Sequence, residues 1–127
     1  MITDIEIIKG SVIQFSGFTE VPVSQMVSVG EAAVFRCQHP TADIISWKTN
    51  DTSVTNERRP PGVIPGIDVE NGSLVYTLTV MGQPEYNGTV VVGVARFFSP
   101  DIQDQETPNA TLQGMQINCS YTSRVDY

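Results

Sequence analysis

Histidine and tryptophan occur once each in this chain, cysteine twice, and lysine plus arginine seven times against fourteen acidic residues. Each scarcity excludes something. One histidine, His39, and two cysteines outside any C-x-x-C pair do not make a zinc site at a familiar spacing. A net charge of −7 argues against nucleic acid or an anionic membrane as partner, because both demand a basic face. No apolar run approaches the ~20 residues of a spanning helix. There is no sustained i, i+3, i+4, i+7 apolar pattern, no internal repeat and no low-complexity tract, so neither a helical nor a repeat architecture is expected. A leader is missing as well: the residues after Met1 lack a basic n-region and a continuous apolar h-region. Alone, that points to a cytoplasmic protein or a piece of a longer one.

What remains is a chain of globular composition, 40% apolar and 17% charged, neither disordered nor membrane-like. Its 127 residues suit one domain, which should bury roughly two-thirds of its unfolded surface. Period-2 alternation recurs, as expected of half-buried strands. Ala33, Phe35 and Cys37 share one face of EAAVFRCQ, and Ile45 and Trp47 one face of DIISWKTN. Tyr76, Leu78 and Val80 share one face of SLVYTLTV. In TVVVGVARF the set is Val91, Gly93, Ala95 and Phe97. NATLQGMQI closes with Leu112 and Gly114. IEIIKGSVIQF and EVPVSQMVSVG supply one or two further strands, with Pro22 suited to an edge. Turn signals separate the runs: HPTAD, ENG, EYNG, SPDIQDQETPN, and NERRPPGVIPG, where Pro60, Pro61 and Pro65 are expected to forbid regular structure. Seven or more short strands at this spacing predict an all-β fold, an antiparallel sandwich of two sheets.

Five of the six asparagines begin an N-x-[S/T] sequon: Asn50, Asn71, Asn87, Asn109 and Asn118. Serine and threonine make up 22 of 127 residues, so chance predicts about one sequon among six asparagines. The Asn-Gly pairs at Asn71 and Asn87 also suit turns. The excess still favours an extracellular, glycosylated protein whose leader is removed or not part of this chain.

VSVGEAAVFRC, followed ten residues after Cys37 by Trp47, resembles strands B and C of an immunoglobulin-superfamily domain. SLVYTLTV resembles strand E. PEYNGTVVVGVA resembles the turn and strand F, whose family pattern is D-x-G/A-x-Y-x-C-x-A. Aligned on Ala95, Asn87 takes the Asp position, Thr89 the small residue, Val91 the Tyr and Gly93 the Cys. The resemblance covers Val21 to Gly114 and departs from the family at two signature side chains. It implies a Greek-key sandwich over residues 21–117, of I-set or V-set type, with 1–20 as an N-terminal segment or extra strand and 118–127 as a tail or linker. It also implies that Cys37, Trp47, Leu78, Val91 and Gly93 lie in one core, with the inter-sheet bridge missing at Gly93 and the tyrosine corner missing at Val91. Tyr86 lies too early in register to replace that tyrosine. Gly93 is expected to leave a small void beside the thiol. Two states are open for Cys37: a buried thiol beneath Trp47, or a Cys37–Cys119 bridge.

No catalytic set is legible. His39 precedes Pro40 in a loop, with no nucleophile elbow to serve it. Asp101, Asp104 and Glu106 lack the spacing of a calcium loop, and Arg58 and Arg59 read as an exposed kink. No cofactor, metal or small-molecule substrate is expected, and a membrane only through a segment outside this chain. Function then falls to surface. The resemblance implies a recognition or adhesion domain of a cell-surface receptor, binding a protein partner or itself. The F–G loop supplies the candidates Phe98, Asp101, Ile102 and Asp104. The alternatives are a spacer domain without binding of its own and a degraded copy under relaxed selection.

Overall fold

The computed structural model describes residues 17–114. Among the described residues nine strands fall into two sheets. The first has the order β1 (Gln25–Met26), β9 (Ala110–Gln113), β7 (Val90–Arg96), β3 (Ile44–Thr49), β4 (Thr52–Val54), with β8 (Gln105–Glu106) also on β7. The second has the order β2 (Ala32–Cys37), β6 (Ser73–Met81), β5 (Val63–Glu70). All named pairs are antiparallel except β1 with β9. The N-terminal run changes sheets: Glu20 bridges Gln38 beside β2, then Gln25 pairs with Leu112 in the other sheet. Pro22 stands in the crossing between them rather than in a strand.

The alternation read from sequence is the register observed. Phe35 faces Leu78 and Ala33 faces Val80 across β2 and β6, while Trp47 faces Gly93 and Ile45 faces Ala95 across β3 and β7. These side chains, with Cys37, Val91 and Leu112, form the buried core between the sheets. Two tight turns carry Asn at positive φ. Asn50 (49°) and Asp51 (67°) join β3 to β4, and Asn71 (52°) and Gly72 (79°) join β5 to β6. Two-residue loops with both central residues left-handed match the strand twist, so both hairpins close without a bulge.

The proline-rich stretch is a correction. Residues 63–70 form an eight-residue strand straight through Pro65. Met81 N–H donates to Gly62 O at 2.9 Å, which fixes the ladder phase. Residues 64, 66, 68 and 70 then point their backbone groups at β6, and Val63, Pro65, Ile67 and Val69 point theirs away. Consistent with that phase, Val63 N–H goes to Pro60 O and Val63 O accepts from the Arg59 guanidinium at 3.0 Å. The donor Pro65 lacks would have faced the free edge, so the ladder loses nothing. The stretch SPDIQDQETPN likewise holds a strand, β8, not only a turn.

β4 is followed by no further strand before β5, so after β3 the first sheet has the first of the two strands that the nine-strand pattern adds and lacks the second.

Candidate interaction surfaces

Gly93 sits where the family cysteine would. A Cβ built on it would lie 2.9 Å from Cys37 Sγ and 3.4 Å from Thr107 Cγ2. The expected void is therefore filled: by the thiol on one side and a threonine methyl on the other. Thr107 also accepts the Gly93 N–H on its hydroxyl at 2.9 Å, while its own N–H donates to Gly93 O at 2.9 Å. Cys37 is a free, buried thiol, and Cys119 and Asn118 lie outside the described residues. Burial pushes the Cys37 thiol up to about 12, with the Glu20 carboxylate adding to the shift. Such a thiol is inert near neutral pH. Tyr86, in the 3-10 turn Pro84–Tyr86, donates its hydroxyl to Pro61 O at 2.6 Å. It ties the β6–β7 corner to the chain entering β5, a backbone tether from a position earlier than the family's.

The outer faces of both sheets are partly closed by charge. Val92 and Val94 point outward from β7, yet Val94 is only 3% exposed. Lys48 on β3 reaches across β7 to Glu106 on β8, Nζ to Oε2 at 2.7 Å, and so lies over both valines. Arg96 meets Ser46 Oγ at 2.8 Å and Asp104 at 3.2 Å on the same face. On the other sheet, Val75 points outward from β6 and is 2% exposed. Arg36 on β2 spans β6 to grip Glu70 on β5 through two bonds of 2.7 and 2.8 Å, and its Nε donates to Glu20 at 2.9 Å. Long cationic stems cover apolar surface while their heads stay paired.

Loops and turns at one end of the sandwich gather the remaining candidates. His39 is half-buried there, edge-on to Phe18 (5.0 Å) and Phe97 (5.3 Å). Its Nδ1 accepts from the Thr41 and Ala42 N–H groups at 3.2 Å, which leaves Nε2 to donate to Gln105 Oε1 at 3.0 Å. The ring pins the β2–β3 loop to the β7–β8 hairpin and is not poised as a base. Phe97 turns inward, while Phe98 projects outward at 76% exposure with its N–H held by Asp43 Oδ2 at 2.8 Å. Ile102 is exposed on the same loop. Asp104 and Glu106 are committed to Arg96 and Lys48, whereas Asp101 is exposed, its N–H toward Ser99 Oγ at 3.4 Å.

The four described sequon asparagines are all exposed. Asn50 and Asn109 border one shallow depression beside Val90, below the Lys48–Glu106 pair. Asn50 Oδ1 accepts from Val90 N–H and Asn87 Oδ1 from Gly114 N–H. Asn71 tips the β5–β6 turn.

One feature was not read from the sequence. Between β3 and β5 the two sheets part, leaving a groove of about 630 Å³ lined by Ile44, Trp47, Val54, Ile67 and Tyr76 among others. Ile67 and Val69 face the inner side of β5 yet are 56% and 69% exposed, because β4 pairs only with the far half of β3 and covers neither. The alternation in VIPGIDVE carried this signal, hidden by its two breaker residues.

Together these elements are an immunoglobulin-like sandwich, the class that the sequence pattern implied. No protein-family model and no curated protein sequence matches the chain. Solved structures do match. Domain D1 of Duf (Kirre) is similar over 83% of this chain and 95% of that one, at 12% identity and TM-score 0.59. A chimeric titin Z1Z2 is similar over 83% and 92%, at 20% identity and TM-score 0.54. The N-terminal Ig1-2 module of the Drosophila receptor protein tyrosine phosphatase DLAR is similar over 83% of this chain and 48% of that one, at 18% identity and TM-score 0.55. At these identities the likeness is one of fold.

Proposed function

We propose that this chain is an extracellular recognition domain that binds a protein partner through the loop end of the sandwich, with Phe98 as the anchor. The observation that carries this reading is Phe98 itself: a large aromatic side chain held out in solvent by a backbone bond to Asp43. Exposed aromatics beside polar groups are the residues that dominate binding energy. Ile102 extends the apolar surface and Asp101 gives it an acidic rim. Ion pairs and the asparagines at 50 and 109 leave less apolar surface on the β7–β3 face. The sequons support an extracellular site of action, and one fold neighbour comes from a receptor. A spacer domain has no use for apolar side chains gathered on one loop, and the exposure of both Phe98 and Ile102 there favours recognition.

The test is secretion of the full chain from a eukaryotic host behind a supplied leader, followed by binding to a panel of purified receptor ectodomains. A glycosidase-sensitive mass of several glycans is expected, and Phe98→Ser should lose at least tenfold in affinity with unchanged folding. A mass insensitive to glycosidase defeats the extracellular reading, and a Phe98→Ser variant that binds as well as wild type defeats the site.

A further inference from the structure

We propose that the free edge of β5 accepts an extended, basic and apolar segment of a protein partner as an added strand, a second binding site distinct from the Phe98 loop. Three observations meet there. The backbone groups of Ile67 and Val69 and the carbonyl of Pro65 point away from β6 and have no partner among the described residues. The side chains on the inner side of that edge, Ile67 and Val69, are exposed, and Ile67 lines the groove that runs to Trp47. On the outer side stands Asp68, and Glu57 stands at the groove's border; both are exposed and form no ion pair among the described residues. Strand addition draws affinity from main-chain bonds and specificity from alternate side chains. A partner strand that meets this edge carries apolar residues toward the groove and lysine or arginine beside Asp68.

Charge selects that occupant over the two others at hand. A second copy paired antiparallel through β5 sets Asp68 beside or diagonal to its counterpart, and like charges across strands are destabilising. Residues 1–16 of this chain bring Asp4 and Glu6 against a single Lys9, again acid against acid. Pro65 and the Arg59 contact close only the start of the edge. Over its upper half the guard is the charge of Asp68, which turns away an acidic strand and not a basic one.

The probe is an acetylated eight-residue peptide alternating valine and lysine, titrated into the full chain while the Ile67 and Val69 amide resonances and Trp47 fluorescence are followed. Both amides should exchange freely without peptide and become protected with it, and the affinity should fall with salt. A valine–glutamate peptide should bind at least tenfold more weakly. Val69→Pro copies what Pro65 does natively, removing an edge donor while leaving the ladder intact. It should lose at least tenfold in affinity with its melting temperature unchanged, and a Gly66→Pro control, which removes a donor to β6, should instead unfold more easily. Phe98→Ser should bind the peptide as wild type does, so the two sites fail independently. Equal binding of both peptides, or of Val69→Pro and wild type, overturns the proposal. So does a dimer that Val69→Pro dissociates, which makes the occupant a second copy. Amide protection in the peptide-free monomer also overturns it, by assigning the edge to the chain itself.

Discussion

Gly93 and Cys37 stand just inside the separation of two residues joined by a disulfide, with one sulfur missing. A Cβ on Gly93 falls 2.9 Å from Cys37 Sγ and 3.4 Å from its Cβ, and a disulfide holds its Cβ atoms about 3.5–4.5 Å apart. The same closeness has opposite consequences for two substitutions. Gly93→Ala puts a methyl against an unbonded sulfur and should cost about 1–3 kcal/mol by overpacking. Gly93→Cys converts the contact into a bond that closes a loop of about 57 residues, and under oxidising conditions should gain roughly 2–4 kcal/mol. Denaturant midpoints and thiol titration check both. Three free thiols, Cys119 included, and no stabilisation in the cysteine variant would show that the register is wrong.

Thr107 does for Gly93 what a regular neighbouring strand would do. Its hydroxyl takes the Gly93 N–H and its methyl occupies the space over the missing Cβ. Thr107→Val keeps the shape and removes the acceptor, leaving a buried N–H without a partner. The expected loss is about 1–3 kcal/mol. Thr107→Ser keeps the bond and removes the methyl, and should lose about 1 kcal/mol. A valine variant as stable as wild type would mean that water satisfies Gly93.

The contrast between Gly93 and Pro65 shows what the sequence could disclose. The place of Gly93 was legible because alternation and the spacing from Cys37 to Trp47 fix a face, and a face is a local property of a strand. Pro65 was misread because its harm depends on which way its missing N–H would have pointed, and that is set by the partner strand. The valines show the same limit. Val91 is core, as its parity implied, but Val92 and Val94 are buried on the opposite face by a lysine and a glutamate that sequence separates by 58 residues. The loop candidates Phe98, Ile102, Asp101 and Asp104 were findable as a mixed apolar and acidic stretch. That Asp104 belongs to Arg96 was not, since ion-pair partners across a hairpin require its register. Register alone sets Tyr86 apart from the family's tyrosine, yet Tyr86 reaches a backbone carbonyl at a site the sequence does not mark.

The Arg36 network should give the domain an acid-sensitive component. The bonds from Arg36 hold the Glu70 carboxyl below its ordinary range, and Arg36 is raised in turn by Glu70 first and Glu20 second. A carboxyl depressed in the folded state binds protons more readily when unfolded. Its stabilisation is therefore complete above the unfolded value of about 4.3 and is lost as pH falls through the lower folded value. Glu70→Gln should flatten the acid limb of the stability curve below about pH 4.3 relative to wild type. The effect at neutral pH should be small, as both groups are solvent-screened. Identical acid limbs in the two proteins would place the sensitivity elsewhere.

At the alkaline end the determinant should be Cys37. Its thiol is raised by burial to about 12, against about 8.5 for a free cysteine. The folded state then holds the proton that the unfolded state releases. Stability from this group is intact below about 8.5 and declines as pH rises toward the folded value. Cys37→Ala has no such proton. Its stability should fall less steeply between about pH 8.5 and 12 than that of the wild type, although it starts lower for want of the sulfur's packing. Thiol labelling offers an independent reading at fixed pH. At pH 8 Cys37, read in a Cys119→Ser background, should react with an alkylating reagent only as fast as the fold opens, and added denaturant should accelerate labelling in step with unfolding. Rapid labelling of Cys37 under native conditions would mean that the space between the sheets admits solvent, and with it the close contact of Cys37 and Gly93 would fail.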